Sequence, residues 1–178
     1  VDFLVAEMTR REQLLVAAHV KDLGRYNAQT REPLPVLLAV FDEVTDLVIT
    51  WGGSETEPFR QLTRVASKGR ALGIHLMLAT QNPKAKILDT AIRELCSTRV
   101  AFKVDTVLHS KSILGRGGAE TIPPGKPGRL WAAGLAADLM PLQGFAVDDD
   151  AVTEVVRRWR TGLATPLTEV EARLVILA

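Results

Sequence analysis

The chain has 178 residues, 47% of them hydrophobic, and 22 Lys and Arg against 21 Asp and Glu give a formal net charge of +1. That length and apolar content are enough for one compact α/β domain with a sizeable core. No apolar stretch approaches the ~20 residues of a membrane span, the start lacks the basic-then-apolar layout of a signal peptide, and the single Cys96 excludes an internal disulfide and suits a reducing cytosol.

Residues 1 to about 23 are expected to form an amphipathic helix with Leu4, Met8, Leu15 and Ala18 on its core face. Pro35 then leads into residues 36–41, an unbroken apolar run that ends in Asp42 and Glu43. A run this short reads as a fully buried parallel strand whose carboxyl end opens onto a site. In a nucleotide-hydrolysing α/β domain the first acid of such a pair holds Mg2+, directly or through water. The second orients and deprotonates the attacking water, which is the Walker B pattern. A solvated strand exit is the alternative that these residues leave open.

After the turn Trp51-Gly52-Gly53-Ser54, residues 56–72 carry Phe59, Leu62, Ala66 and Leu72 near helical period, with Thr56 as N-cap and Pro58 in the first turn. Gly73 caps that helix, and residues 74–80 read as a second buried strand. Strand, helix and strand make a right-handed crossover with parallel strands. The arrangement puts Asp42, Glu43 and Gln81 at the edge where open α/β sheets bind ligands. A neutral amide there can hydrogen-bond a γ-phosphate or the attacking water; a polar residue simply leaving a strand is the alternative.

Further on, residues 106–114 read as a helix, and Gly115-Arg116-Gly117-Gly118 as the turn after it. Residues 123–128 form a rigid turn into a strand over 129–133, with residues 142–147 pairing as a late strand. Asp148-Asp149-Asp150 starts a helix carrying Val152, Val155, Val156 and Trp159. Residues 162–167 read as a linker after a domain over 1–161. Thr168 and Glu171 form a capping box for a final helix, 168–178, that could open a further domain. His19, His75 and His109 are too scattered for a zinc motif.

Charge is unevenly spread. Residues 60–129 hold thirteen Lys and Arg and four acids, a balance of +9, while the remainder is −8. A basic segment of this kind suits phosphate contacts that need no particular base sequence. A solvated helix face with inter-subunit ion pairs is the alternative.

No G-x-x-x-x-G-K-[ST] occurs, so the backbone cradle and lysine that hold β- and γ-phosphates are missing from these residues. That absence predicts weak ATP affinity.

Several strings together resemble the FtsK/SpoIIIE family of DNA translocases. Residues 68–81, KGRALGIHLMLATQ, are similar to the segment that follows Walker B in that family. Upstream, Glu7-Met8-Thr9-Arg10-Arg11 and Tyr26-Asn27 resemble its Glu-Met-x-Arg-Arg helix and Tyr-Asn turn. Downstream, residues 98–102, 112–114, 117–120, 128–131 and 144–147 follow in family order. One stretch departs from it: the usual lysine, aspartate and arginine before Ile113-Leu114 fall on Val107, His109 and Lys111, which could weaken DNA grip or subunit coupling, because lysine lacks the bidentate fork.

The resemblance implies a RecA-like P-loop NTPase core, mainly a parallel sheet with flanking helices and a late antiparallel strand pair. The chain would be its carboxyl-terminal part, lacking the Walker A strand, loop and helix, or a degenerate homologue. It further implies ATP and Mg2+ as cofactors, with Asp42 at the metal, Glu43 and Gln81 at the nucleotide, and Arg70 as an arginine finger for a neighbouring subunit. A helix-terminal arginine complementing the macrodipole is the alternative for Arg70, and Arg99 is the reserve candidate. Double-stranded DNA and a homo-oligomer, a hexameric ring when the motor domain is whole, are the implied partners. Lys84, Lys86 and Arg93 are assigned to the DNA channel, with Lys111, Arg116 and Lys126 in reserve. The implied setting is the bacterial cytoplasm, with any membrane anchor in a separate amino-terminal region. A protein-moving secretion ATPase of the same superfamily and a non-catalytic scaffold are the competing functions.

Overall fold

The computed structural model describes residues 1–83 and 90–160. Lys84, Lys86, the 162–167 linker and the terminal helix at 168–178 lie outside the described residues. The chain divides into two compact units, Val1–Ser97 and Thr98–Ala178.

The amino-terminal unit runs α1 (Asp2–Ala17), α2 (Leu23–Gln29), β1 (Leu37–Phe41), α3 (Val44–Thr50), α4 (Glu57–Lys68), a 3-10 turn (Gly69–Leu72), β2 (Ile74–Leu78) and α5 (Thr90–Leu95). The strands pair in parallel, with Leu37 opposite Ile74 and Phe41 opposite Leu78, as the strand, helix, strand pattern requires. Leu4, Met8 and Leu15 of α1 meet Val65, Leu72 and Ile74 in one core. Val44, Val48, Phe59, Leu62 and Ile92 form a second beside it. Met8, Leu62 and Val65 are completely buried, each contributing roughly 1.5–3 kcal/mol relative to exposure.

In this unit four features differ from the sequence expectation. The first helix ends at Ala17, and Asp22 caps a separate α2 by accepting the Arg25 N–H at 2.9 Å. The helix begun at Thr56 tightens into the 3-10 turn after Lys68, because its last turn must swing into β2 at Gly73. Gly73 has φ +69°, and a Cβ there would lie 2.1 Å from Leu23 Cδ2, so only glycine fits the turn. A helix, α3, follows directly on Glu43, where sequence reading placed no element.

The fourth difference concerns β1, which is not buried on both sides. Leu38 and Val40 are 57% and 59% exposed and Met77 is 40% exposed, while Leu37, Ala39 and Phe41 face the helices. Strand alternation sends successive side chains to opposite faces, and the helices of this unit cover one.

In the carboxyl-terminal unit, β3 (Arg99–Phe102), β4 (Arg129–Ala133) and β5 (Met140–Gln143) form an antiparallel trio with β4 central. The late strand occupies 140–143 where 142–147 was expected, and β3 adds to the pair on the other side of β4. Helix α6 (Val107–Leu114) is capped by the Thr106 hydroxyl, which accepts the His109 N–H at 3.2 Å. Leu114 packs with Ala101, Ala119, Ile122 and Ala133. Helix α7 (Asp149–Arg160) starts where the acids predicted it, with Asp148 Oδ1 accepting the Ala151 N–H at 2.8 Å. Its Val152, Val155 and Val156 are exposed.

Candidate functional site

Parallel pairing in register delivers the ends of β1 and β2 to one edge. The ladder continues past both strands, with the Ala79 N–H donating to Phe41 O and the Val44 N–H to Ala79 O, each at 2.9 Å. Glu43 is thus held one residue before α3, as its N-cap, in the left-handed region at φ 50° and ψ 57°. For a residue with a Cβ, that conformation costs about 1–2 kcal/mol. It turns the side chain back across the sheet edge. Glu43 Oε2 accepts the Gln81 N–H at 2.8 Å, and Oε1 accepts the Thr80 hydroxyl. Asp42 stays exposed at the end of β1.

Glu43 and Gln81 therefore meet, with one change of part, while Asp42 stands exposed beside Glu43 at the strand end. Gln81 reaches Glu43 through its main-chain N–H, and the side chain that touches the carboxylate belongs to Thr80. Behind Thr80 stands Thr45, fully buried, its hydroxyl 2.7 Å from that of Thr80 and 3.2 Å from Asn82 O. Sequence reading missed both threonines. A hydroxyl two residues into a helix gives no local sign of a partner 35 positions away.

Arg70 lies elsewhere. It is exposed on the 3-10 turn before β2, whereas Gln81 follows the strand. The five residues of β2 span roughly 17 Å, so one copy does not bring Arg70 to Glu43. Arg70 lines a groove of about 840 Å3 with Glu12, Lys21, Lys68 and His75.

The turn carrying Arg70 is anchored by Arg11, which is 2% exposed. Its Nη1 donates to Leu72 O at 2.9 Å, and its Nε to Glu7 Oε1 at 2.7 Å. Arg10 takes the other Glu7 oxygen at 2.7 Å. The hydrogen bond from Arg10, supported by that from Arg11, lowers the Glu7 carboxyl to about 2 despite partial desolvation. The Glu-Met-x-Arg-Arg string is thus a brace between α1 and the Arg70 turn. The Tyr-Asn string is another: the Asn27 amide donates to Leu34 O at 2.8 Å and accepts the Leu34 N–H at 2.9 Å, holding the approach to β1.

Of the basic candidates, Arg93 sits half-buried on α5. Arg99 begins β3, with its Nε buried and lacking a hydrogen-bond partner. Lys111, Arg116 and Lys126 are exposed. The loop bearing Arg116 is pinned from behind: Ser110 Oγ donates to Arg116 O at 2.9 Å and accepts the Ala119 N–H at 3.1 Å. The Gly118 N–H donates to Glu120 Oε2 at 2.8 Å, and backbone hydrogen bonding lowers the Glu120 pKa. The glycine-rich stretch is a braced turn, as its sequence indicated.

Among the described residues, no three His, Cys, Asp or Glu side chains gather as a metal cage. No described helix is long and apolar enough to cross a membrane.

The FtsK/SpoIIIE family model matches residues 1–85, which include both acids and Gln81. DNA translocase SftA of Bacillus subtilis is 34% identical over 164 residues, covering 89% of this chain. The chain belongs to the FtsK/SpoIIIE family. It spans only 17% of SftA. Among solved structures, the pCW3 conjugation coupling protein TcpA, in its monomer form with ATPgS, is similar with a TM-score of 0.75 and 27% identity. That match covers 89% of this chain and 47% of TcpA. The cytoplasmic domain of the Thermomonospora curvata type VII secretion ATPase EccC matches with a TM-score of 0.69 and 25% identity, over 85% of this chain and 18% of its own. The fold is that of a RecA-like P-loop NTPase core, without the Walker A strand, loop and helix in these 178 residues.

Proposed function

We propose that the chain is the acid-bearing part of an ATP-driven translocase of double-stranded DNA, working in chromosome or plasmid movement during division, segregation or transfer. The observation that carries this reading is the convergence of Asp42 and Glu43 with Thr80 and Gln81 at the carboxyl edge of a parallel pair. The likeness to the DNA translocase SftA supports the DNA substrate, and the likeness to TcpA with ATPgS supports the nucleotide.

In this reading Asp42 is the Walker B metal holder. A single exposed carboxylate, with no protein cage around it, suits Mg2+, which takes one or two carboxylates beside substrate phosphates. When bound, the ion neutralises charge on the phosphate oxygens. Glu43 accepts the proton of the attacking water, and the Gln81 edge reports the nucleotide. Arg70 serves the site of a neighbouring copy in a ring, six subunits in the proposed form, because its own Glu43 lies at the other end of β2. Lys84, Lys86 and Arg93 contact DNA phosphates, with Lys111, Arg116 and Lys126 as the second basic set. The proposed place of action is the cytoplasm, any membrane anchor belonging to a separate region.

The likeness to EccC favours one other reading, a secretion ATPase that moves protein. Salt-sensitive binding of duplex DNA separates the two.

The test uses a polypeptide that carries a phosphate loop ahead of residue 1. Glu43→Gln is expected to bind ATP and lower hydrolysis about 10²- to 10⁴-fold, while Asp42→Ala also loses the Mg2+ dependence of nucleotide binding. Normal turnover by Glu43→Gln removes it from the role of base.

A further inference from the structure

We infer that Thr80, backed by Thr45, is the positioning residue that aims the Glu43 carboxylate. The inference rests on the reading of Glu43 as the general base, and goes beyond it by naming what holds that base in place.

The argument starts from the number of bonds one hydroxyl can make: one donated and two accepted. All three are assigned at Thr80. An ionised carboxylate only accepts, so the Thr80 hydrogen goes to Glu43 Oε1. The two lone pairs of Thr80 Oγ1 are approached by the Asn82 N–H at 3.0 Å and the Thr45 hydroxyl at 2.7 Å. With both acceptor positions occupied, the hydroxyl has one direction left in which to donate.

Thr45 is completely buried on α3, so its hydroxyl must find a protein partner. With the Thr80 hydrogen on Glu43, the one Thr45 hydrogen goes to Thr80 Oγ1 at 2.7 Å, the Asn82 carbonyl at 3.2 Å being the alternative acceptor. The exit of β2 and the start of α3 are thereby joined at the same hydroxyls. Glu43 Oε2 is held independently by the Gln81 N–H, so the carboxylate is fixed at two points even though its left-handed backbone is strained. A base held in this way needs no reorganisation when water arrives. Thr80 does not itself meet the water.

The test compares Thr80→Val, which keeps the shape and removes the hydroxyl, with Thr80→Ser, which keeps the hydroxyl. Glu43→Gln runs beside them in the phosphate-loop-bearing polypeptide. Thr80→Val is expected to lower kcat about 10- to 100-fold with KM for ATP unchanged, and Thr80→Ser to restore it. In the 178-residue chain itself, the Gln81 amide proton is expected to move upfield and exchange faster in Thr80→Val, and to return in Thr80→Ser. Thr45→Val should show the same kcat-only loss at smaller size, and carries the test if Thr80→Val does not fold. Wild-type kcat in Thr80→Val beside an inactive Glu43→Gln overturns the positioning role and leaves the base standing. An active Glu43→Gln overturns both.

Discussion

The acid-bearing edge and the basic loop after α6 are built in opposite ways. At the edge, three of the hydrogen bonds that place Glu43 and Thr80 join residues 35 to 38 positions apart, beside the local one from the Asn82 N–H. Around Arg116 the bonds that brace the main chain join residues two to nine positions apart, and its side chain makes one exposed pair with Asp138 at 3.4 Å. The first kind depends on the whole β1 to β2 pairing and sets a carboxylate to a fraction of an ångström, as proton transfer needs. The second holds a loop by itself and leaves charge at the surface, which is all a phosphate contact needs. Substitutions at the edge should therefore act steeply and through geometry, and those on the basic loops in small, additive steps.

Among substitutions away from the acid-bearing edge, the largest effect should come from Arg70. In the assembled oligomer, Arg70→Ala is expected to lower hydrolysis about 10³-fold with ATP still bound. Mixing Arg70→Ala with Glu43→Gln copies should return part of the turnover, since one supplies the acid and the other the arginine. No recovery in phosphate-release assays would show that Arg70 does not act across copies.

The brace beneath it comes next. Arg11→Met leaves Glu7 without one of its two cations and Leu72 O without a donor, and should cost about 3 kcal/mol in urea unfolding. Glu7 adds a pH dependence. Its folded carboxyl is lowered from 4.5 to about 2, so its stabilisation is complete above the unfolded value and drains away as pH falls from about 4.5 towards 2. Glu7→Gln should flatten the acid limb of the stability curve in that window, and an unchanged limb would remove the brace from the account.

The parts legible in the sequence were those with punctuation. Pro35, the paired acids and Gly73 bracket two apolar runs at strand spacing, and the edge follows from parallel pairing. Helix α3 was not legible: Val44, Thr45, Val48, Ile49 and Thr50 are β-branched, and their weak helix preference yields to burial of Val44 and Val48 against Phe59 and Leu62. Arg11 did carry a signal, since position 11 continues the stripe of Leu4, Met8 and Leu15 at helical spacing. A charged residue in that stripe reads as exposed until the carbonyl of Leu72, 61 positions on, is seen to receive it. The run at 36–41 is apolar on both faces, so nothing in it distinguished the covered face from the bare one.

That bare face gives the smallest predicted effect. Leu38→Thr and Val40→Thr should each change the stability of this chain by less than about 0.5 kcal/mol, because both side chains stand more than half exposed. A cost above roughly 1.5 kcal/mol by urea unfolding would mean that another surface covers them in solution.

The separation of the two regions is tested most directly by measuring hydrolysis and duplex binding on the same samples across a salt series. The samples are the phosphate-loop-bearing wild type, Glu43→Gln, and the triple alanine variants of Lys84, Lys86 and Arg93 and of Lys111, Arg116 and Lys126. Glu43→Gln should lose hydrolysis and keep the wild-type slope of log affinity against log salt. The Lys84, Lys86 and Arg93 variant should keep basal hydrolysis while its salt slope flattens by up to about three units, roughly one per lost phosphate contact. A flattened slope only in the second triple would move the DNA contacts to the loops around Arg116. Unchanged slopes in both triples, or equal loss of DNA binding in Glu43→Gln, would contradict the division of work between acids and bases.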